Sequence, residues 1–321
     1  MGVETAITQH HIKKRMNNRT KKRLGFYALI VTLPLLQLCL FYIYVNFNSI
    51  LLAFQEYTNN TQGLGYIINF AGFKNFETAI AKIGSSGYMI KNSMIAFFWR
   101  TGVGLSLALI FSFYLTKKYY ASGFYKVILY MPQIISHVVF ALLFRYIVTD
   151  VYPQVAKMLT GQENVLGLLD NLDTKYATVV FYNVWIGFGV NVILFTGAMS
   201  GINASVVESA QMDGVNIVQE FFQITLPMIF PTLITFIVVG IASIFTDQMQ
   251  LYTLFGIHAD ALSTMGYFLY VETTTSDVIS PAINTMNYSE LSALGLTLTL
   301  IVFPITMTIR KILEKYGPSV D

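Results

Sequence analysis

The sequence predicts an all-α membrane protein with six transmembrane helices and with both termini in the cytoplasm. The prediction rests on composition, on six long apolar runs and on the placement of basic residues. Of the 321 residues, 55% are hydrophobic and 12% are charged, against a charged share of about 25% in soluble proteins. So few charges exclude a disordered protein, a coiled coil and a nucleic-acid binder, and they argue against a soluble enzyme.

Six apolar runs are long enough to cross a bilayer, which takes about 20 residues of helix. None of them alternates as the strands of a membrane β-barrel do. The first run follows a basic tail and lacks a convincing signal-peptide cleavage site, so we expect a retained anchor. The predicted spans are residues 26–46, 89–115, 127–149, 177–200, 228–247 and 291–309.

Lysine and arginine predict the orientation, because they are concentrated in cytoplasmic loops. Most of the basic residues lie in the N-terminal tail, in the loop after the second span and at the C-terminal end. They are Lys13, Lys14, Arg15, Arg19, Lys21, Lys22, Arg23, Lys117, Lys118, Lys126, Arg310, Lys311 and Lys315. The loop 201–227 is then also cytoplasmic, yet it contains no lysine or arginine, which suggests that it has another role.

Four regions follow from this topology. We predict a basic cytoplasmic tail (1–25), a first transmembrane helix with an outer loop (26–88), a core of five transmembrane helices (89–315) and a C-terminal tail (316–321).

Patterns typical of an enzyme are missing from the sequence. No G-x-x-x-x-G-K-[ST] phosphate-binding loop occurs. Cys39 is the single cysteine, and the four histidines (His10, His11, His137 and His258) are scattered. We therefore predict a non-enzymatic chain without a cofactor or a metal of its own.

The loop 201–227 carries strong local signals. Ser205 and Glu208 have the S-x-x-E spacing of a capping box, which predicts the start of a helix. Asp213-Gly214 predicts its end, and Asn216 is a candidate cap for a second short helix. Pro227 either stops that helix or opens the next span. The loop is therefore predicted to be a helix–turn–helix.

Two interpretations of its first helix remain open on local grounds. The small residues Ser209 and Ala210 would let the helix enter a groove of a partner, to which Glu208 would offer a carboxylate. Alternatively, Glu208 only closes its own cap and the loop packs on its own bundle.

The spacing of the loop resembles a known pattern. Glu208-Ser209-Ala210, three residues, Gly214, nine residues, Ile224, one residue and Leu226-Pro227 is similar to the EAA loop of ABC importer permeases. Ser209 replaces the second alanine of that pattern. Asp213-Gly214 and the run 221–227 resemble the carbohydrate branch, the relatives of the maltose and glycerol-3-phosphate permeases.

The resemblance covers about residues 25–315. Its other motifs are Tyr130-Met131-Pro132, Phe144-Arg145-Tyr146, Asn183 to Gly189, and Asp247-Gln248. Many sugar permeases have a Gly-Gly-Pro turn after the last motif, whereas this chain has Phe255 to Asp260 there. The resemblance therefore does not specify the subfamily or the sugar.

The resemblance implies a type I ABC importer permease fold in a bacterial cytoplasmic membrane. It implies that the loop couples the chain to a separate ATPase through Glu208, Ser209, Ala210, Asp213, Gly214, Leu226 and Pro227. The implied partners are a second, related permease (usually a different chain), two ATPase subunits that bind ATP and Mg²⁺, an extracellular or periplasmic binding protein and a carbohydrate substrate.

Polar residues within the spans are candidates for a substrate pathway. Asn183 and Asn191 lie two helical turns apart on one slowly drifting face, and Trp185 lies nearby. Amides would hydrogen-bond sugar hydroxyls and the indole would stack on a sugar ring. The alternative is contact between helices, with asparagine hydrogen bonds beside small glycines.

Charged residues near the outer membrane face form a second group of candidates. Arg100 lies about 25 Å along the helix from Lys117, so it either extends to the interface, pairs with a carboxylate or contacts substrate. Arg145 should lie at the outer interface. Asp247, followed by Gln248, lies at the same level and is a possible partner for either arginine.

We therefore expect the permease subunit of an importer for an oligosaccharide or a related polyol. One alternative is an importer permease for another solute, such as a phosphate ester or a peptide. A less favoured alternative is a secondary transporter, which would need ion-coupling residues and no ATPase.

Overall fold

The computed structural model describes residues 18–59, 66–275 and 286–318. By its internal contacts the chain divides into two compact units, Met1–Leu52 and Ala53–Asp321, which are described separately. His10 and His11 lie outside the described residues. The described part is almost entirely helical, as predicted.

The first unit contains the first predicted span. Its helix runs as Asn18–Gln37, continues as the π-helical stretch Leu38–Tyr44 and ends as Val45–Leu52. Within it, the 30 residues Arg23–Leu52 are long and apolar enough to cross a membrane. No side chain of this stretch is buried within the unit, which suits a helix surrounded by lipid.

The second unit begins with a small antiparallel sheet that the sequence analysis did not predict. Its strands are Gln55–Asn59 and Tyr66–Phe70, with Gln55 opposite Phe70. The helix Lys74–Ser85 follows. Asn75 attaches this helix to the chain before the sheet, because its side-chain amide donates to the carbonyl of Ala53 at 2.9 Å.

Further helices of the second unit are long and apolar enough to cross a membrane. They are span two, Gly87–Thr116, span three, His137–Thr160, span four, Leu172–Ser200, and span six, Tyr288–Tyr316. Span five, Phe230–Ala242, continues the helix Ile217–Met228 after a bend of 70°. If the bent pair is counted as one span, the described chain has six spans, as predicted.

Shorter elements complete the description. π-helical stretches interrupt span two at Phe98–Val103, span three at Ile147–Val151 and the helix before span five at Glu220–Thr225. The remaining elements are Ser122–Ile134, Ala204–Met212, Leu251–Phe255, the 3-10 turn Asp260–Leu262 and Met265–Thr275.

The predicted bounds of the third span, 127–149, are wrong. The chain forms one helix over Ser122–Ile134, becomes extended at Ile135 (ψ 145°), and starts span three at His137. Pro132 lies shortly before the break, where it removes a helical hydrogen bond. The apolar run continues through the break, so hydropathy alone could not detect it.

Spans two and four form the centre of the second unit. The hydroxyl of Ser112 donates to the carbonyl of Val192 at 3.1 Å, and Phe195 is fully buried beside it. A second buried cluster joins Phe144 of span three to Tyr182 of span four. We refer to the end of this bundle that carries residues 201–227 as the inner end, and to the opposite end as the outer end.

The chain that follows span six packs against the bend before span five. Gly317 comes directly after the last helical turn, and a Cβ atom there would overlap the ring of Phe230 and the carbonyl of Leu313. Phe230 is the first residue of the helix after the bend. This contact therefore requires the absence of a side chain at position 317.

Candidate functional site

The first helix of the 201–227 loop is Ala204–Met212, and its cap differs from the prediction. Asn203 is the N-cap, with its side-chain oxygen accepting from the N–H of Ser205 at 3.1 Å. The predicted capping box of Ser205 and Glu208 is therefore wrong. Asparagine is as good a cap as serine, and it comes two residues earlier.

Glu208 is consequently available to a partner. Its side chain is exposed, and within residues 18–59, 66–275 and 286–318 its carboxylate has no hydrogen-bond or ion-pair partner. The interpretation in which Glu208 only closes its own cap is thus wrong. Ser209 is also exposed, and Ala210 is half-buried.

The helix ends at Asp213-Gly214, as predicted. Gly214 has φ +81°, and its N–H donates to the carbonyl of Gln211 at 3.1 Å. The N–H of Val215 donates to the carbonyl of Ala210 at 3.1 Å. This pair of bonds is a Schellman motif, which requires a left-handed residue at the position of Gly214.

Asn216 caps the second helix, as predicted. It forms a reciprocal capping box with Gln219, with bonds of 2.9 and 3.0 Å. The predicted role of Pro227 is wrong, because the helix continues to Met228 and breaks at Ile229. Pro231, in the first turn of span five, takes the position expected of Pro227. Leu226 packs against the buried cluster that contains Val192 and Phe195.

The loop also exposes apolar side chains. Met212 is 89% exposed, and Val218 and Phe222 are also exposed. Because Met212 ends a short helix that lies outside the candidate spans, its exposed side chain is suited to contact with another protein.

A buried ion pair joins this loop to span two. Lys117, which caps the C-terminus of span two, pairs with Glu220, and their side chains are 18% and 5% exposed. Gln211 of the first loop helix donates to the same carboxylate at 3.4 Å. We call this the inner ion pair. This pair was not predicted from the sequence, although an acidic residue next to the Phe221-Phe222 pair, in a loop without basic residues, is a usable signal.

A cleft of about 480 Å³ lies beside the inner ion pair. Lys117 and Glu220 line it together with Glu208 and Val207 of the first loop helix. The first loop helix is thus separated from the bundle on one side.

A second ion pair, between Arg100 and Asp247, lies at the outer end. We call it the outer ion pair. It confirms the expectation that Asp247 pairs with an arginine, and it selects Arg100. Arg145 is exposed, and its side chain has no ion-pair partner within the described residues.

The backbone around Asp247 is tightly constrained. The carboxylate accepts from the N–H of Met249 at 2.9 Å, and the backbone carbonyl accepts from Thr264 at 2.9 Å. Met249 and Gln250 both have positive φ, at 51° and 55°. A Cβ atom at Gly266 would lie 2.5 Å from the carbonyl oxygen of Asp247. Residues 247–250 are called the outer turn below.

Asn183 contacts the outer turn. Its side-chain amide donates to the carbonyls of Val179 and Met249, each at 2.9 Å. The first bond lies within span four, and the second holds span four to the turn. Gln248, in the same turn, has a buried side-chain oxygen without a hydrogen-bond partner within the described residues. The structure therefore brings together Asn183, Gln248 and the outer ion pair.

The other two candidates for the pathway lie apart from this group. Trp185 packs edge-on against Phe140, with ring centroids 5.2 Å apart, and remains 37% exposed. Asn191 is half-buried, and its side chain has no hydrogen bond to any described residue. Asn183 thus makes a packing hydrogen bond, to Met249, as in the interpretation in which these asparagines hold structural elements together. Asn191 makes no such bond to a described residue.

Comparison with known proteins gives a family match over residues 101–318, to the model described as "Binding-protein-dependent transport system inner membrane component". The arabinooligosaccharides transport system permease protein AraP of Halalkalibacterium halodurans is 25% identical over 317 residues, covering 96% of this chain and 94% of the relative. The multiple sugar-binding transport system permease protein MsmF of Streptococcus mutans is 24% identical and covers 95% and 99%.

Two further comparisons agree. The sn-glycerol-3-phosphate transport system permease protein UgpA of Shigella dysenteriae is 26% identical, covering 68% of this chain and 75% of the relative. A chain of the bacterial alginate ABC transporter, solved with an alginate-bound periplasmic protein, has the same fold, with a TM-score of 0.70, 18% identity and coverage of 92% and 96%. This chain therefore belongs to the family of binding-protein-dependent transport system inner membrane components, as the resemblance of its 201–227 loop predicted.

Proposed function

We propose that the chain is the transmembrane permease subunit of an ATP-driven importer for an oligosaccharide or a related carbohydrate. The observation that carries the proposal is the 201–227 loop. Its Schellman turn at Gly214 holds a helix on which the side chains of Glu208 and Ser209 are exposed and have no partners among the described residues. The full-length similarity to permeases named for oligosaccharides supports the substrate class.

The loop provides the contact to the ATPase in this proposal. ATP and Mg²⁺ bind to two partner ATPase subunits in this proposal, and we expect no cofactor or metal on this chain. The Glu208 carboxylate accepts charge-assisted hydrogen bonds from an ATPase subunit, which covers the exposed Met212 and Phe222. A second permease completes the pathway, and an extracellular or periplasmic binding protein delivers the sugar.

ATP drives the change of state only through contacts that differ between the inward-open and outward-open forms. In the proposal, closure of the ATPase subunits displaces the loop. The bundle then changes between the inward-open and the outward-open form. Asn191 and Trp185 offer a polar and an aromatic contact to a sugar along the way.

The test is ATP-driven uptake into proteoliposomes that contain this chain, its partner permease and ATPase, and the binding protein. Labelled arabino- and malto-oligosaccharides, glycerol 3-phosphate and a peptide are offered in parallel. Uptake of an oligosaccharide that requires ATP supports the proposal. Uptake of glycerol 3-phosphate alone would assign the phosphate-ester class, and uptake driven by an ion gradient without ATP would contradict an ATP-driven importer.

The proposed orientation has the 201–227 loop and both termini in the cytoplasm. Single cysteines at Ser85 and Ser209, both exposed, are introduced after Cys39→Ser. A membrane-impermeant thiol reagent added to intact cells should label the cysteine at 85 and not the one at 209. Labelling of the cysteine at 209 would show that the loop lies outside the cell and that the proposed orientation is wrong.

A further inference from the structure

The inner ion pair is largely buried at the edge of the cleft, unlike the exposed Glu208 and Asp213 of the loop. The Glu220 side chain is 5% exposed and that of Lys117 is 18% exposed. A charge buried in this way is unfavourable unless it is paired and hydrogen-bonded. Each of the two residues therefore holds the other in place.

Glu220 connects three elements. Its carboxylate pairs with Lys117 at the end of span two and accepts from Gln211 of the first loop helix, while the residue itself lies in the second. Phe221 adds an edge-on contact to Phe113 of span two, with ring centroids 5.1 Å apart. The second loop helix is thus attached to the inner end of span two at Lys117 and Phe113, and the first loop helix is attached to the second through Glu220.

The covalent connection from the loop to span five is bent. The helix Ile217–Met228 meets Phe230–Ala242 at 70°. A displacement along the axis of Ile217–Met228 is therefore not directed along span five. Span two, in contrast, contacts the loop through the Lys117–Glu220 ion pair at its inner end. At its outer end it contacts Asp247 through Arg100.

We propose that Lys117 and Glu220 are positioning residues that make the inner end of span two move together with the 201–227 loop. Displacement of the loop is then delivered to span two directly, and through it to the outer ion pair, in addition to span five. The inference rests on the proposed function, since the displacement comes from an ATPase.

The first test measures the distance between loop and span two directly. Spin labels are placed at Met212, which is 89% exposed, and at Tyr120 beyond span two, which is 94% exposed, in a Cys39→Ser chain within the assembled complex. The expected result is one unchanged distance distribution with and without ATP. A shift of the distance between the two states would overturn the inference without any further variant.

The second test uses Glu220→Gln, which keeps the shape and removes the charge. We expect assembly and ATP hydrolysis to persist, sugar uptake per ATP hydrolysed to fall at least fivefold, and the labelled distance to broaden. The charge reversal Lys117→Glu with Glu220→Lys should recover at least half of the lost uptake per ATP. Unchanged coupling in Glu220→Gln would overturn the inference.

Lys118→Met is the matched control, because Lys118 is adjacent but exposed and its side chain has no ion pair within the described residues. It removes a charge of the same magnitude next to the inner ion pair without breaking that pair, and it should leave uptake per ATP at the wild-type level. A wild-type complex that shows no ATP-driven uptake would contradict the proposed function instead. A coupled wild type with a coupled Glu220→Gln variant contradicts only the present inference.

Discussion

The inner and outer ion pairs attach span two to its neighbours in different ways. The inner pair is more buried, and its partner Glu220 belongs to a loop. The outer pair is more open, with side chains 50% and 21% exposed, but its partner Asp247 is held by the N–H of Met249 and by the hydroxyl of Thr264. The difference indicates that burial of charge holds the inner contact, whereas backbone geometry holds the outer one.

Strain in the outer turn supports this distinction. Met249 and Gln250 adopt left-handed conformations, which cost about 1–3 kcal/mol each and persist only where surrounding contacts impose them. The imposing contacts are the bonds of Asp247 and Asn183 to Met249. We therefore expect the outer turn to keep its internal geometry, as a rigid block, when the loop and span two are displaced.

Gly266→Ala should damage the outer turn most. The new Cβ atom would lie 2.5 Å from backbone atoms of Thr246 and Asp247, which cannot turn away as a flexible side chain would. We expect a loss of about 3 kcal/mol, as for overpacking of a well-packed site, seen as a lower Tm of the purified complex. Gly295→Ala is the control, since nothing lies within 4 Å of its Cβ position. Equal Tm values would show that the outer turn yields.

Gly214→Val should act on coupling. A β-branched residue at φ +81° disfavours the Schellman turn by about 1–2 kcal/mol and displaces the helix that carries Glu208. We expect sugar-stimulated ATP hydrolysis to be no longer coupled to uptake in this variant. Glu208→Ala should have the same effect, because it loses a charge-assisted bond of about 1.5–3 kcal/mol.

The matched control for Gly214→Val is Gly161→Val. Gly161 also ends a helix with positive φ, at 72°, and has nothing within 4 Å of its Cβ position. It introduces the same backbone strain at the other end of the bundle, so coupling should remain normal. If both valine variants are uncoupled, or neither is, the docking role of the loop is wrong.

The outer ion pair should contribute only modestly by itself. Asp247→Asn keeps an acceptor for the N–H of Met249 and removes the charge, and Arg100→Met removes the other partner. Because the guanidinium is half-exposed, we expect a coupling energy of about 1 kcal/mol in a double-mutant cycle of thermal stability. A value above about 3 kcal/mol would place the outer pair in the same class as the inner one.

Asn191→Ala should have almost no effect on stability, because its side chain makes no hydrogen bond to a described residue. Uptake should fall if Asn191 faces the pathway, with assembly and basal ATP hydrolysis unchanged. Asn183→Ala is the contrast, since it removes two bonds to backbone carbonyls worth about 1 kcal/mol each. A destabilised Asn191→Ala variant would favour a packing role instead.

The parts of the fold that the sequence predicted depend on local or length-based signals. Apolar runs identified the spans, and the left-handed glycine at 214 and the cap at 216 followed from turn chemistry. The helical rise also placed Arg100 and Asp247 at one level. The break before His137 lies within a continuous apolar run, and Asn203 competes with Ser205 for the same cap. No local rule decides either case.

The inner ion pair was out of reach for a different reason. Lys117 is one of many basic residues that indicate the cytoplasmic side. Its position in the sequence was therefore explained without assuming an ion-pair partner. Glu220 lies in a helix whose bend and π-helical stretch determine its direction, and neither feature has a clear signal in one sequence. Tertiary contact, rather than propensity, decides this pairing.

The contact between Gly317 and Phe230 has a consequence for biosynthesis. Phe230 emerges from the ribosome long before Gly317, so the bend next to the loop cannot reach its final packing until span six has been inserted. A chain interrupted in span six would leave the ring of Phe230 uncovered. Quality-control proteases and chaperones would then meet an unfinished loop region, and association with a partner would be delayed until nearly all of the described chain is made.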